Sequence, residues 1–266
     1  MSKERLDILV TSIGLFDSRE AAKRAIMAGI VLVNNEPLDK PGTKVAFDSE
    51  IRIKGLVMPY VSRGGYKLEK AIEIFQLDLT EKIIIDVGAS TGGFTDCALQ
   101  NGARLSYAVD VGYNQLAWKL RQDTRVISME RTNFRHLEQK DLSFGVPTFA
   151  CMDVSFISIK LLLPVLKEII SDNGEIVALI KPQFEAGKAL VGKKGIVRDA
   201  KVHIQVIKEI IDFVNALNMA AVALTYSPIK GGVGNIEFLL HIKKSGTSIV
   251  SDEQITEVVK QAHHKL

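Results

Sequence analysis

From residue 63 onward, short apolar runs alternate with longer amphipathic stretches. The apolar runs predict seven strands, at residues 83–87, 105–110, 125–129, 148–153, 175–181, 219–226 and 236–242. Helical periodicity predicts helices between them, at about residues 66–76, 93–101, 114–122, 158–170 and 199–216. This alternation is typical of a parallel sheet with helices on both faces. The segment joining the last two strands is too short for a crossover helix, so we expect the last strand to run antiparallel.

The first 58 residues follow a different pattern, in which two short amphipathic helices precede several short strands. Asp17 is the predicted N-cap of the second helix, because Glu20 follows three residues later as in a capping box. Gly29 is placed to end that helix. So many short elements in so short a span predict a compact α/β module.

These patterns place the chain in the α/β class. A seven-stranded sheet with a reversed last strand is the Rossmann-like arrangement of S-adenosylmethionine methyltransferases, whereas a dehydrogenase sheet would have a sixth parallel strand. The change in pattern predicts three segments. They are a small N-terminal α/β domain (residues 1–58), a linker (59–62) and the sheet domain (63–266).

Composition adds few constraints. The 266 residues are 47% hydrophobic and 24% charged, as in an ordinary globular protein. The net charge of +3 does not indicate a nucleic-acid partner, so any basic surface must come from the placement of charges. Cys97 and Cys151 suggest no disulfide framework, and we expect a reducing, cytoplasmic location. Because no metal-ligand spacing and no membrane-spanning stretch is found, we expect neither a metal nor a membrane partner.

A glycine loop follows the first strand of the sheet domain. Asp86 closes that strand, Gly88, Gly92 and Gly93 lie in the loop, and a helix begins near Phe94. Glycine lets a backbone turn tightly and lie against a ligand. A phosphate loop would end in Gly-Lys-Ser/Thr, so the acid and the loop together favour S-adenosylmethionine. The alternative is a turn of the sheet that binds no ligand.

Charged residues also follow or begin other strands. Asp110 ends the second strand, where it can accept hydrogen bonds from an adenosine ribose or serve as a solvated turn acid. Asp153 and Lys181 end adjacent strands and form either a functional pair or a structural ion pair. Glu237 begins the reversed strand and is therefore expected at the same edge. The predicted cofactor-binding residues are Asp86, Gly88, Ala89, Ser90, Gly92, Gly93, Phe94, Asp110 and Asp153.

Two basic clusters are candidates for contact with RNA phosphates. The first lies on the second predicted helix, for which a solvated helix face is the alternative. The second is a glycine-rich stretch after Lys181, which we expect to form a mobile rim over the active site. The predicted RNA-binding residues are Arg19, Lys23, Arg24, Arg63, Lys188, Lys193, Lys194 and Arg198.

Several longer motifs resemble those of a known family. They are Tyr60-Val61-Ser62-Arg63-Gly64-Gly65, the loop from Gly88 to Asp96, Val109-Asp110-Val111-Gly112-Tyr113, Glu130-Arg131-Thr132-Asn133, Asp153-Val154-Ser155-Phe156-Ile157-Ser158, Lys181-Pro182-Gln183-Phe184-Glu185, Ser227-Pro228 and Gly234-Asn235-Ile236-Glu237. The motifs are similar to those of the TlyA, or hemolysin A, branch of the FtsJ-like ribose 2′-O-methyltransferases. The resemblance covers essentially the whole chain.

The resemblance implies S-adenosylmethionine-dependent methylation of a ribose 2′-hydroxyl, on cytidine, in ribosomal RNA or ribosomal subunits. The family's Lys-Asp-Lys-Glu tetrad falls on Lys67, Asp153, Lys181 and Glu237, with Lys181 as the general base. From the residues alone, a solvated helix lysine is the favoured interpretation of Lys67. The N-terminal domain resembles the RNA-binding domain first seen in ribosomal protein S-four. Residues 57–61 read Val-Met-Pro-Tyr-Val, where some relatives carry an Arg–aromatic–Val type of segment, so no linker role is carried over.

Two other classes of function are kept as alternatives: a non-catalytic RNA-binding or ribosome-assembly protein, and a membrane-active hemolysin. The complete tetrad argues against the first, and the lack of a spanning segment argues against the second. Amino-group methyltransferases carry Asn/Asp-Pro-Pro-aromatic after the fourth strand, whereas this chain has Asp-Val-Ser-Phe from Asp153. Carbon-five cytosine methylation needs a nucleophilic cysteine, and we expect Cys97 and Cys151 to be small core residues.

Overall fold

The computed structural model describes residues 3–16, 18–54 and 58–266. Its strands are β1 (Lys3–Arg5), β2 (Val31–Val33), β3 (Glu36–Pro37), β4 (Lys44–Ala46), β5 (Ile51–Ile53), β6 (Ile83–Val87), β7 (Leu105–Val109), β8 (Val126–Met129), β9 (Phe149–Met152), β10 (Glu175–Ile180), β11 (Ala220–Tyr226) and β12 (Phe238–Lys243). Its α-helices are α1 (Leu6–Ser12), α2 (Arg19–Met27), α3 (Gly64–Phe75), α4 (Gly93–Gln100), α5 (Trp118–Arg121), α6 (Leu163–Ile169), α7 (Pro182–Glu185), α8 (Ala200–Ala216) and α9 (Asp252–Lys265).

Seven strands form one sheet in the order β11-β12-β10-β9-β6-β7-β8. Strands β8, β7, β6, β9 and β10 pair in parallel, whereas β12 is antiparallel to both β10 and β11. The predicted α/β sheet with a reversed last strand is therefore confirmed. The central strands β6 and β9 are buried along their whole length because helices cover both faces.

The two faces of the sheet carry separate apolar clusters. Helices α6, α8 and α9 pack on one face, where Leu166, Ile210 and Val259 are almost completely buried. In α8 the buried positions include 202, 206, 207, 210, 211 and 214, which is the spacing of one helical stripe. Helices α3 and α4 pack on the other face through Leu68 and Ala98. Burial of these stripes fixes which face of the sheet each helix covers.

The N-terminal region has its own small core, formed by nine buried apolar residues from α1, α2 and the short strands. Strands β1 and β4 pair with each other, and β3, β2 and β5 form a three-stranded sheet. Ser18 is the N-cap of α2, and its hydroxyl accepts a hydrogen bond from the Ala21 amide at 3.2 Å. The prediction that Asp17 caps this helix is therefore corrected, and Asp17 itself lies outside the described residues.

Several elements differ from the expected lengths. The helix expected over 114–122 is reduced to one turn, α5, because Asn114 has a left-handed φ of 59° and the Gln115 amide donates to the Glu130 carboxylate. The helix expected over 158–170 is divided into a 3₁₀ turn, Ile159–Leu161, and α6, which has a proline in its first turn. None of the described helices is long and apolar enough to cross a membrane.

Candidate active site

A cavity of about 290 Å³ lies at the carboxyl ends of the parallel strands. Its walls come from both parts of the chain, since residues 11–14 and Phe16 of the N-terminal region face the loops of the sheet domain. From the sheet domain the lining includes Ser62, Arg63, Gly64, Lys67, Asp86, Gly88, Ala89, Ser90, Thr91, Gly93, Phe94, Asp153, Ser155, Lys181 and residues 229–232. This is the edge where an open α/β sheet binds its ligands.

Four charged side chains meet at this edge of the sheet, and three of them, Lys67, Asp153 and Lys181, line the cavity. The Lys67 ammonium contacts two carboxylates, with Nζ at 2.9 Å from Asp153 Oδ2 and 2.8 Å from Glu237 Oε2. The Lys181 ammonium forms an ion pair with the other oxygen of Asp153, at 2.5 Å. Asp153 therefore bridges two lysines, and Glu237 lies behind Lys67, where its side chain is only 2% exposed.

Strand register explains why three of these residues converge. Ala178 of β10 pairs with Met152 of β9, so Asp153 and Lys181 both lie just beyond the ends of neighbouring strands. Phe238 of β12 pairs with Ile180 of β10, so Glu237 immediately precedes the reversed strand at the same edge. Lys67 arrives separately, from the first turn of α3, which packs across this edge.

The charges of Lys67 and Asp153 stabilise each other. Burial by itself lowers the pKa of Lys67, but the carboxylates of Asp153 and Glu237 outweigh that effect and raise this pKa above its ordinary value. Burial would raise the pKa of Asp153, and the ammonium groups of Lys181 and Lys67 hold it well below its usual range. Lys67 is thus a fixed cation and Asp153 a fixed anion at neutral pH.

Asp86 has an unpaired carboxylate oxygen in the same cavity. Its Oδ2 accepts hydrogen bonds from the amide and hydroxyl of Thr95, at 3.0 and 2.7 Å, whereas its buried Oδ1 has no hydrogen-bond partner. Burial raises the pKa of Asp86 to about 7, although the bonds from Thr95 oppose that rise. A buried acceptor without a partner, on a residue that lines a cavity, suits a ligand that brings a cationic donor.

Two glycines of the loop allow close approaches between different backbone segments. Gly88 has a φ of +83°, and a Cβ there would lie 2.8 Å from the Asp153 carbonyl oxygen, so glycine lets the ends of β6 and β9 approach. A Cβ on Gly93 would meet the Gly65 amide nitrogen at 2.9 Å, which shows that α3 and α4 cross closely.

Gly92 lies against two core leucines. It does not line the cavity, and a Cβ there would meet Leu120 Cδ1 at 2.2 Å and Leu116 Cδ1 at 2.8 Å. Its φ of +94° is also left-handed. A side chain at Gly92 would therefore collide with the protein's own core, and the cofactor contact expected of Gly92 stays a prediction.

Asp110 acts on the loop from outside the cavity lining. One of its oxygens accepts a hydrogen bond from the Ser90 amide at 2.8 Å, and the other accepts one from the Gly112 amide at 2.7 Å. These bonds hold the loop at Ser90, whose φ of 48° is unusual for a residue other than glycine. Phe94, at the start of α4, is 3% exposed and lines the cavity.

The predicted RNA-binding residues lie in three separate places: Arg63 lines the cavity, and the others form two clusters. Lys188, Lys193, Lys194 and Arg198 are all exposed on the stretch that follows α7. At the centre of that stretch, hydrogen bonds join the Val197 amide and the Gly195 carbonyl to Asn235. No residue of the stretch lines the cavity, and its mobility stays a prediction.

The N-terminal cluster is less simple than its sequence suggests. Arg19 Nε donates to Asp7 Oδ2 at 2.8 Å, and Arg5 Nε donates to Asp7 Oδ1 at 3.0 Å. The Asp7 side chain is 0% exposed, so part of the charge of Arg19 balances a buried carboxylate. Arg24 is exposed and Lys23 is half-buried on the same helix.

Ser155 is a site residue that sequence reasoning missed. Its hydroxyl accepts a hydrogen bond from Lys181 Nζ at 3.0 Å, and the residue lines the cavity. The available signal was its place two residues after Asp153, beyond the end of a strand. The two cysteines are buried core residues whose thiol pKa burial raises, so they are unsuited to nucleophilic attack. The described residues contain no cluster of three or more His, Cys, Asp or Glu that could hold a metal ion.

Comparisons with known proteins agree with this architecture. Residues 60–244 match the model of the FtsJ-like methyltransferase family, and residues 4–51 match the S4 domain. The chain is 57% identical to YqxC of Bacillus subtilis, named as a candidate rRNA methyltransferase, over 99% of this chain and 95% of that protein. It is 36% identical to the 16S/23S rRNA (cytidine-2′-O)-methyltransferase TlyA of Mycobacterium tuberculosis, over 98% and 97% of the two chains.

A solved structure shows the same whole-chain arrangement. It is described as a candidate hemolysin from Streptococcus thermophilus, superposes with a TM-score of 0.89 at 52% identity, and is matched over 100% of this chain and 97% of its own. The chain therefore belongs to the FtsJ-like methyltransferase family, as an S4-domain-containing member related to the TlyA rRNA methyltransferases.

Proposed function

We propose that this enzyme transfers a methyl group from S-adenosylmethionine to the ribose 2′-hydroxyl of a cytidine in ribosomal RNA. The observation that carries the proposal is the cluster of Lys67, Asp153, Lys181 and Glu237 beside the glycine loop. A ribose hydroxyl is a poor nucleophile, so an enzyme acting on it has to align it and accept its proton. The relatives named as cytidine-2′-O-methyltransferases support the same substrate class.

The two parts of the chain divide this task. Residues 1–58 bind RNA, residues 59–62 link the parts, and residues 63–266 carry the cofactor and the chemistry. The S4 match supports the RNA-binding assignment of the first part. Exposed basic residues of both parts contact RNA phosphates. They are Arg24, Lys188, Lys193, Lys194 and Arg198, and the same role is proposed for Arg19, Lys23 and Arg63. A ribosomal substrate places the enzyme in the cytoplasm.

The cavity fits S-adenosylmethionine in one specific respect. Asp86 lines the cavity, and its Oδ1, which has no hydrogen-bond partner among the described residues, can accept a hydrogen bond from a cationic amino group. Gly88, Ala89, Ser90 and Gly93 supply a backbone wall without bulky side chains, and Asp110 fixes that wall through Ser90. The cofactor supplies a sulfonium methyl group, which is a strong methyl donor without further activation.

The protein's own residues then orient the acceptor and remove its proton. The Lys181 ammonium first loses a proton to solvent, and its neutral Nζ then accepts the proton of the ribose hydroxyl, while Asp153 and Ser155 hold this nitrogen in place. When Lys181 becomes an ammonium ion, Asp153 stabilises the new charge. Lys67 keeps Asp153 in one orientation by binding its other oxygen, and Glu237 in turn holds Lys67.

The decisive experiment maps ribose methylation in ribosomal RNA by mass spectrometry, with and without the enzyme. We expect one or more cytidine 2′-O-methyl groups that disappear with Lys181→Ala, while the affinity for S-adenosylmethionine changes less than a few-fold. Lys160→Ala is the matched control, because Lys160 pairs with Glu209 away from the cavity. Unchanged turnover in Lys181→Ala would refute the assignment of the base. If the ribosomal RNA carries no such methyl group even with the enzyme, and subunit assembly is impaired without the enzyme, the non-catalytic alternative is favoured.

A further inference from the structure

One buried side chain joins the basic stretch to the catalytic edge. Asn235 is completely buried, two residues before Glu237. Its Oδ1 accepts a hydrogen bond from the Val197 amide at 2.9 Å, and its Nδ2 donates to the Gly195 carbonyl at 2.8 Å. An amide side chain carries a donor and an acceptor on separate atoms, so it can satisfy a backbone carbonyl and a backbone N–H at once.

The backbone on the other side of Asn235 is equally constrained. The Gly231 amide donates to the Asn235 carbonyl at 2.9 Å, and the Ser227 amide donates to the Glu237 carbonyl at 2.8 Å. A Cβ on Gly231 would lie 2.3 Å from Glu237 Oε1, so this loop lies directly against the Glu237 carboxylate. Asn235 is thus part of the segment that sets the position of Glu237.

A second buried residue, His203 of α8, holds the backbone of Val197. The Nε2 atom of His203 lies 3.2 Å from the Val197 carbonyl oxygen, and its Nδ1 lies 2.9 Å from His263 Nε2 on α9. The His203 ring also packs edge-on against Phe238, the residue after Glu237, at a centroid distance of 5.4 Å. Residues 195–197 are therefore anchored to the sheet from two directions.

The basic residues flank this anchored point. Lys193 and Lys194 lie in the turn between Gly192 and Gly195, which is closed by a bond from the Gly195 amide to the Gly192 carbonyl. Arg198 follows Val197 directly and is exposed, whereas Val197 is 3% exposed. The exposed basic residues therefore lie on both sides of the buried, hydrogen-bonded Val197.

We propose that Asn235 is a positioning residue, which holds the phosphate-binding stretch of Lys193, Lys194 and Arg198 in a fixed place relative to Glu237 and the catalytic cavity. The inference rests on the proposed function, because it takes RNA as the ligand of that stretch. Since phosphate contacts set the register of a nucleic acid on a protein, a fixed stretch aligns the target ribose with Lys181. Without the anchor, the charges remain but their register is lost.

Asn235→Ala tests this role by removing the side-chain amide alone. We expect amide hydrogen exchange at residues 192–198 to accelerate at least tenfold, and KM for the ribosomal substrate to rise at least tenfold. The value of kcat should fall by a smaller factor, and affinity for S-adenosylmethionine should stay within about threefold. The double variant Lys193→Ala/Lys194→Ala is the matched comparison, and should raise KM without changing the exchange of the Val197 amide.

His203→Phe gives an independent test if Asn235→Ala does not fold. It retains an aromatic ring against Phe238 but removes the contact with the Val197 carbonyl, so exchange at residues 192–198 and KM should both rise, by smaller factors. Faster exchange with unchanged KM would overturn the proposal, and so would loss of cofactor affinity in proportion to the loss of RNA affinity. If wild-type protein methylates no ribosomal RNA, the proposed function fails. The exchange measurement would still report whether Asn235 anchors the stretch.

Discussion

Removal of Lys67 should destabilise the fold as well as the active site. Its ammonium is the shared partner of two carboxylates, at 2.9 Å from Asp153 and 2.8 Å from Glu237, and its side chain is only 9% exposed. A hydrogen bond to a charged group contributes about 1.5–3 kcal/mol, and deletion of one member of a buried ion pair costs about 3–5 kcal/mol. We therefore expect Lys67→Met to lower the free energy of unfolding by about 3–5 kcal/mol.

The pH range of this effect follows from the pKa shifts. The pKa of Lys67 is raised, so its stabilising contribution is complete below the unfolded-state value of about 10.4 and is lost as pH rises through its folded value. The pKa of Asp153 is lowered, so its contribution is complete above about 3.9 and is lost as pH falls through its folded value. The contribution of the Lys67–Asp153 pair to the stability of the wild-type protein should therefore be constant from about pH 5 to pH 9.

Urea unfolding at pH 7, followed by circular dichroism and by the fluorescence of the single tryptophan, Trp118, measures the change. The double variant Lys67→Met/Glu237→Gln removes the most buried of the stranded charges, so it should recover part of the lost stability. A cost below about 1 kcal/mol, or a double variant as unstable as the single one, would show that these charges are not desolvated as the structure indicates.

Three further outcomes are expected. Gly92→Val should lower the free energy of unfolding by about 3 kcal/mol or more, because its side chain would overlap Leu120 at a left-handed φ; a stable variant in urea titration would contradict this. Lys193→Ala/Lys194→Ala should reduce the salt slope of RNA binding by about 1–2, and an unchanged slope would count against phosphate contact. Affinity for S-adenosylmethionine should rise about tenfold between pH 6 and pH 8 as Asp86 ionises, and calorimetry should find this dependence absent in Asp86→Asn.

Much of the fold follows from local pattern. Apolar runs predict the seven strands because the central ones are buried on both faces, and the short last connection predicts the reversed strand. The convergence of Asp153, Lys181 and Glu237 follows from the same topology, since all three lie at one edge of the sheet. These are inferences from sequence order alone.

Other features depend on contacts between distant segments and are not visible in local pattern. Lys67 joins the site through the packing of α3, whereas the residues alone favour a solvated helix lysine. Arg19 is drawn to Asp7, twelve positions away, by the need to balance a buried carboxylate. Gly92 resembles a cofactor contact, but the space beside it is filled by Leu120 from a helix that follows the next strand.

The close crossing of α3 and α4 has a consequence for dissecting the enzyme into fragments. A truncation that begins at residue 76 would retain all seven strands of the sheet and the glycine loop, yet it would lack the cation between Asp153 and Glu237. It would also expose the glycine face of α4, which contacts Gly65 and Ser62 in the intact chain. The smallest autonomous catalytic unit therefore has to start before Ser62, and an inactive shorter fragment would not show that the S4 domain is needed for chemistry.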